Sequence, residues 1–128
     1  KLPSGSFFLL FIVLKIYHNP RCRKSREALL LLQEEKVEYE VILYLENPLT
    51  KDALQALLEK IKLQPSDLVR KNEKEWKAIP DRNTMSESQI LDALVSFPKL
   101  IERPIVEGKT SGVLARPIEN LIEFLKAN

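Results

Sequence analysis

An order of strand, loop, helix and strand near the start of the chain constrains its fold more than any other feature. Residues 14–17 form a short apolar segment, and residues 18–22 predict a loop because they contain an Asn-Pro pair. Residues 24–35, rich in Leu and Glu, predict a helix, and apolar side chains at alternate positions of residues 37–43 predict a strand. Two strands joined by one helix form a parallel pair with a crossover, so the chain belongs to the α/β class.

The rest of the sequence predicts a helical middle, then a hairpin and a last helix. One helix begins after Thr50, and the capping-box pattern Ser-Glu-Ser-Gln begins another at Ser86. Short strands at residues 104–106 and 113–115 flank a glycine-containing turn, and Pro117 opens the last helix. This order is that of a thioredoxin-like fold, a small mixed sheet with a helical insertion in the middle.

Composition limits the functions that such a chain can perform. With 128 residues, 45% apolar and 30% charged, the sequence predicts a globular domain of ordinary size. The net charge of +2 and the absence of a basic tail argue against nucleic-acid binding. The chain has one Cys and one His, so we expect no internal disulfide and no metal site. A lone thiol fits a reducing compartment, and we expect a cytoplasmic protein.

Residues 1–14 differ from the rest and are interpreted as an atypical or non-native N-terminal extension. Residues 7–14 are an apolar run of eight, shorter than the roughly 20 residues that span a bilayer. The run resembles the apolar part of a secretory signal, but no small-residue cleavage site follows it. We therefore expect no membrane insertion and place the functional domain at residues 15–128.

Cys22 is the first candidate for chemistry. It lies between a predicted strand and a predicted helix, and the side chains of Arg21, Arg23, Lys24 and Arg26 surround it. Cations and the N–H groups of a helix start stabilise a thiolate, and the same environment attracts an oxyanion. Two other interpretations stay open: a buried, unreactive cysteine and a solvated basic face at the start of a helix.

Other polar residues have both a functional and a structural interpretation. His18 either supports the thiolate or ends the strand, and the Ser25 hydroxyl either donates to the thiolate or caps the helix. Arg70, Arg103 and Arg116 are each ordinary surface arginines when taken alone. Together they could supply the planar, bidentate donors that a tetrahedral oxyanion needs. Their spacing alone does not establish that they converge.

Five segments, in order along the chain, resemble the glutaredoxin-dependent arsenate reductases. The matching segments are residues 16–26 (IYHNPRCRKSR), 44–48 (YLENP), 68–72 (LVRKN), 103–106 (RPIV) and 114–117 (LARP). The similarity covers about residues 15–126. The resemblance implies a thioredoxin-like fold, with a cis peptide bond between Arg103 and Pro104.

The same resemblance implies the roles of individual residues. Cys22 would attack arsenate or a similar oxyanion, which Arg70, Arg103 and Arg116 would hold. The supporting residues would be His18, Asn19, Ser25 and Arg26. Glutathione would act as co-substrate and glutaredoxin as protein partner, with no bound cofactor and no metal, in a monomer or weak dimer.

Two further functions remain compatible with the sequence. A glutathione-dependent thiol reductase with another substrate would keep Cys22 without needing all three arginines. A regulator that binds RNA polymerase would belong to the same superfamily, whose members of that kind usually carry a Cys-x-x-Cys switch. Ser25 stands at the second cysteine position here, so that switch cannot form within the motif.

Overall fold

The computed structural model describes residues 13–127, and residues 1–12 of the predicted extension lie outside them. In chain order the strands and helices are β1 (Leu14–Tyr17), α1 (Arg23–Glu34), β2 (Tyr39–Ile42), α2 (Lys51–Ile61), α3 (Lys74–Lys77), α4 (Glu87–Ser96), β3 (Ile105–Glu107), β4 (Gly112–Leu114) and α5 (Ile118–Ala127). Short 3₁₀ helices cover Pro65–Leu68, Arg82–Thr84 and Pro98–Leu100. The chain forms two compact units, Leu43–Glu102 and the segments on either side of it.

The first unit holds a four-stranded sheet in the order β2-β1-β3-β4. β1 and β2 are parallel, with Leu14 opposite Tyr39, whereas β3 is antiparallel to both β1 and β4. The predicted parallel pair, hairpin and small mixed sheet are therefore confirmed. Helix α1 provides the crossover that a parallel pair requires.

Buried apolar side chains of this unit pack together in a hydrophobic cluster. Its buried members come from β1, α1, β3, α5 and the link before α5: Leu14, Ile16, Ala28, Leu32, Val106, Ala115 and Leu121. In β1, Ile16 is fully buried while its neighbour Lys15 is exposed, as the two-residue period of a strand requires. This packing fixes the end of β1 and the start of α1, and so the two ends of the loop at residues 18–22.

The second unit is helical, as predicted for the middle of the chain. Helix α2 begins where the Thr50 hydroxyl accepts a hydrogen bond from the Ala53 N–H. Helix α4 begins at the predicted capping box, in which Ser86 and Gln89 bond each other's backbone N–H. α2 packs against α4, and Trp76 is buried in the one-turn α3. Within residues 13–127 no helix has the length and apolar character needed to cross a bilayer.

Candidate active site

The loop between β1 and α1 is closed by its own hydrogen bonds. The Cys22 N–H donates to the Asn19 carbonyl oxygen at 2.9 Å, and the Arg21 N–H donates to Asn19 Oδ1 at 3.0 Å. The Arg26 guanidinium donates to the Pro20 carbonyl oxygen at 2.9 Å. The loop thus has a defined shape that places Cys22 at the N-cap of α1.

The half-buried Cys22 thiol lies in an environment that favours the thiolate. Burial raises its pKa, but this effect is outweighed by the backbone N–H of Ser25, the Arg103 side chain and the backbone N–H of Lys24. The pKa of Cys22 is therefore lowered from its ordinary value. Donor N–H groups at a helix start and nearby cations both stabilise the thiolate form of a cysteine.

Two of the three predicted arginines meet at this thiol. Arg116 Nη1 lies 4.0 Å from Cys22 Sγ and also donates to the Arg103 carbonyl oxygen at 3.2 Å. The Arg103 side chain acts on the same thiol and lowers its pKa, by hydrogen bonding and by its charge. Both arginines precede cis prolines: the Arg103–Pro104 bond is cis as predicted, and Arg116–Pro117 is cis as well.

His18, Asn19 and Ser25 form a buried polar cluster behind the loop. His18 Nδ1 and Ser25 Oγ share a hydrogen bond 2.6 Å long, and the Asn19 N–H donates to the same hydroxyl at 3.0 Å. Burial, and after it the charge of Arg26, lowers the pKa of His18, so the imidazole is neutral near pH 7. The Ser25 hydroxyl is thus engaged by His18 and Asn19, while its backbone N–H acts on the thiol.

The exposed cations around the thiol have separate environments. Arg23 and Lys24 lie 3.5 and 3.9 Å from carboxylate oxygens of Glu27, one turn further along α1. Arg26 braces the loop through the Pro20 carbonyl. The predicted basic surroundings of Cys22 therefore include one residue that organises the loop and two that pair on the helix surface.

Arg70 lies in the second unit, between the 3₁₀ helix that ends at Leu68 and helix α3. Its N–H donates to the Leu100 carbonyl oxygen at 2.7 Å. Its guanidinium donates from Nε to Glu73 Oε2 at 3.1 Å and from Nη1 to Glu102 Oε1 at 3.5 Å. Arg70 is thus held by two carboxylates, and its role as an oxyanion ligand stays a prediction.

Sequence reasoning missed Asn120, which belongs to the surroundings of Arg116. Its Nδ2 donates to the Leu114 carbonyl oxygen at 3.2 Å and to the Arg116 carbonyl oxygen at 3.4 Å. The only signal was an amide side chain in the first turn of a helix that follows an Arg-Pro pair, where such residues often bond to the backbone. Among residues 13–127 no three His, Cys, Asp or Glu side chains are grouped to hold a metal ion.

A thiolate beside two guanidinium groups can act on an anion. Guanidinium groups in general can bind the oxygens of an anion and neutralise its charge, and a thiolate can attack the central atom of such an anion. The sheet order, with a cysteine at the N-terminus of the helix that follows β1, defines a protein of the thioredoxin-like class. The model of the ArsC family matches residues 17–124, and the chain belongs to that family.

Relatives of known sequence and structure agree with this assignment. The chain is 42% identical over 113 residues to the uncharacterized protein YfgD of Escherichia coli K12, covering 87% of this chain and 95% of that protein. It is 36% identical over 110 residues to an arsenate reductase of Neisseria meningitidis, covering 84% and 94%. The solved arsenate reductase of Vibrio cholerae superposes with a TM-score of 0.82 at 34% identity, covering 88% and 97%. The resemblance inferred from five short segments is confirmed.

Proposed function

We propose that this protein is an arsenate reductase in which Cys22 is the nucleophile. The observation that carries the proposal is the position of the Cys22 sulfur at the N-cap of α1, 4.0 Å from Arg116 Nη1. Arg103 and backbone N–H groups lower the pKa of this thiol. Arsenate is a tetrahedral oxyanion that carries one or two negative charges near neutral pH, so it matches a site built from two guanidinium groups. The names of the Neisseria and Vibrio relatives give independent support for this substrate.

In the proposed reaction the Cys22 thiolate attacks arsenic, and an S–As bond forms as one As–O bond breaks. The departing oxygen leaves as water, with protons carried by the arsenate and taken up from solvent. Arg103 and Arg116 hold the remaining oxygens and stabilise their charge as the bond forms. Two thiols of other molecules then supply the electrons: they are oxidised to one disulfide as arsenic(V) is reduced to arsenic(III). Arsenite leaves, and the Cys22 thiolate is restored.

The external thiols are proposed to be glutathione and glutaredoxin. The chain contains one cysteine, so no second sulfur of its own can attack the adduct. The Ser25 hydroxyl cannot replace it, because an alcohol does not form the disulfide that carries electrons away. A supply of reduced thiols is characteristic of the cytoplasm, which is the compartment we propose.

Arg70 is proposed as a third ligand of the oxyanion, on the strength of the LVRKN segment and its family position. Its guanidinium has five N–H donors, of which the glutamates engage one at Nε and one at Nη1. A guanidinium that binds carboxylates in this way has the donor geometry that also binds the oxygens of an oxyanion. The variant Arg70→Ala tests this role, since the KM for arsenate should rise while the reactivity of the Cys22 thiol stays the same.

The experiment that tests the function is a coupled assay of arsenate-dependent NADPH oxidation with glutathione, glutathione reductase and glutaredoxin. Wild-type protein should turn over, and Cys22→Ser should not. Omitting glutaredoxin, or replacing both thiols with thioredoxin and its reductase, identifies the reductant. A folded wild-type protein that is inactive with every thiol donor would refute arsenate reduction, and turnover by Cys22→Ser would refute the nucleophile.

A further inference from the structure

The side chain of Asn120 bonds to two backbone carbonyls, one that precedes Arg116 and that of Arg116 itself. Nδ2 donates to the Leu114 carbonyl at 3.2 Å, where β4 ends, and to the Arg116 carbonyl at 3.4 Å, just before α5 begins. The Asn120 N–H also donates to the Pro117 carbonyl at 3.0 Å. Three contacts from one residue thus tie the first turn of α5 to the link from β4.

This link has little regular structure of its own. Residues 115–117 lie outside both β4 and α5, and the Ala115 N–H donates to the Pro104 carbonyl oxygen at 2.9 Å. The Arg116 carbonyl is therefore fixed by a side chain and not by a strand or helix ladder. An orientation error in this peptide moves the whole Arg116 side chain, whose guanidinium must reach Cys22 Sγ and the Arg103 carbonyl.

We propose that Asn120 is a positioning residue that orients Arg116 toward the Cys22 thiol and the oxyanion. The inference rests on the proposed function, because it assigns Asn120 an effect on the oxyanion that Arg116 binds. Asn120 acts through the backbone and does not itself touch the reacting atoms. A small misplacement of an anion-binding guanidinium weakens a charge-assisted hydrogen bond, which depends steeply on distance and angle.

The exposure of Asn120 predicts which property of the protein its replacement will change. Asn120 is exposed, so water can bond to both carbonyls once the amide is removed, and the helix is retained. Water molecules cannot, however, hold Leu114 at a fixed distance from α5 as the Asn120 side chain does. Loss of the amide should therefore change anion binding more than the stability of the fold.

The test compares Asn120→Ala and the nearly isosteric Asn120→Leu with wild type, in steady-state arsenate reduction and in binding of inorganic arsenate. Binding is read as protection of Cys22 from alkylation. The matched control is Asn83→Ala, at an exposed asparagine of the second unit for which the structure gives no side-chain hydrogen bond. We expect the KM for arsenate and its dissociation constant to rise roughly fivefold in both variants, with kcat less affected and the melting temperature close to that of Asn83→Ala.

A double-mutant cycle separates positioning from a general effect. If Asn120 acts through Arg116, Asn120→Ala adds nothing to the KM once Arg116 is replaced by Ala. Equal effects of Asn120→Ala in both backgrounds, or an unchanged KM in both Asn120 variants, would overturn the inference. If Arg116→Ala itself leaves the KM unchanged, the oxyanion role of Arg116 in the proposed function fails instead.

Discussion

Helices α1 and α4 begin in opposite ways. At α4 the Ser86 hydroxyl accepts from the Gln89 N–H at 3.2 Å, the Gln89 side chain accepts from the Ser86 N–H at 2.8 Å, and Glu87 stands in the first turn. At α1 the N-cap is Cys22, no side-chain cap bond forms, and the first turn has no acidic residue. The first N–H groups of both helices have no partner within the helix. Of these two helices, only α4 pairs them with a capping side chain that stabilises the helix.

The difference shows what α1 is built to hold. Anionic side chains at a helix N-terminus stabilise it by about 0.3–1 kcal/mol each, and cations there act in the opposite direction. α1 nonetheless carries Arg23 and Lys24 in its first turn. Its first N–H groups instead face the Cys22 sulfur and lower the pKa of that thiol. The start of α1 thus stabilises the thiolate of Cys22 at the expense of helix stability.

Replacing Cys22 with Ser would give α1 a start like that of α4, and this change has the largest expected effect. Arsenate reduction should fall to the rate without enzyme, because a serine hydroxyl is not ionised near neutral pH. The melting temperature should hold or rise, because Ser is a strongly preferred N-cap. Assay and thermal unfolding on the same sample check both parts, and a large loss of stability would contradict the comparison.

Removing the guanidinium groups tests whether the N–H groups at the start of α1 lower the pKa of Cys22 and support arsenate binding without the arginines. Arg103→Ala should raise the pKa of Cys22 toward its ordinary value, because the hydrogen bonding and charge of Arg103 lower it. The pH dependence of iodoacetamide alkylation measures this shift. Arg116→Ala should raise the KM for arsenate by roughly 10- to 100-fold, the value of a charge-assisted hydrogen bond. Unchanged alkylation and KM would show that α1 acts without the arginines.

Ser86→Ala probes the other helix and should affect stability alone. Loss of an N-cap costs about 1 kcal/mol, which lowers the melting temperature of a domain this size by roughly 4 °C. The alkylation rate of Cys22 should not change. Thr50→Ala, at the capped start of α2, is the matched control and should behave in the same way. Slower alkylation in Ser86→Ala would show that the two helix starts are not independent.

The smallest expected effect is a loss of stability at acidic pH, through His18 behind the loop that precedes α1. The pKa of His18 is lowered in the folded protein, by burial and then by Arg26, so the unfolded chain binds its proton more readily. Stability therefore declines as the pH falls below about 6.5, the ordinary pKa of His. His18→Asn should flatten the melting temperature between about pH 7 and 5. An equally steep decline in this variant would place the acid sensitivity elsewhere.

The sequence predicted the parts of the fold that depend on local pattern. Alternating apolar residues placed β2, an N-cap and a capping box placed the starts of α2 and α4, and Pro and Gly positions placed the final hairpin. Each of these signals acts within a few residues. The meeting of Cys22 with Arg103 and Arg116 depends on strand pairing across the chain, and only the family resemblance pointed to it. The ion pairs of Arg70 and the role of Asn120 had no distinctive local signal, since side-chain directions in loops follow from tertiary packing.

The closed loop before α1 has a consequence for the energetics of substrate capture. Its hydrogen bonds to the Asn19 and Pro20 carbonyls and to Asn19 Oδ1 are all donated by groups of the chain itself, from the loop and the first turn of α1. The conformational entropy of ordering these residues is lost when the chain folds, so it need not be lost again when an anion arrives. The electrostatic free energy of anion binding is then not offset by a cost of ordering the loop. We expect anion binding to proceed without rearrangement of the loop.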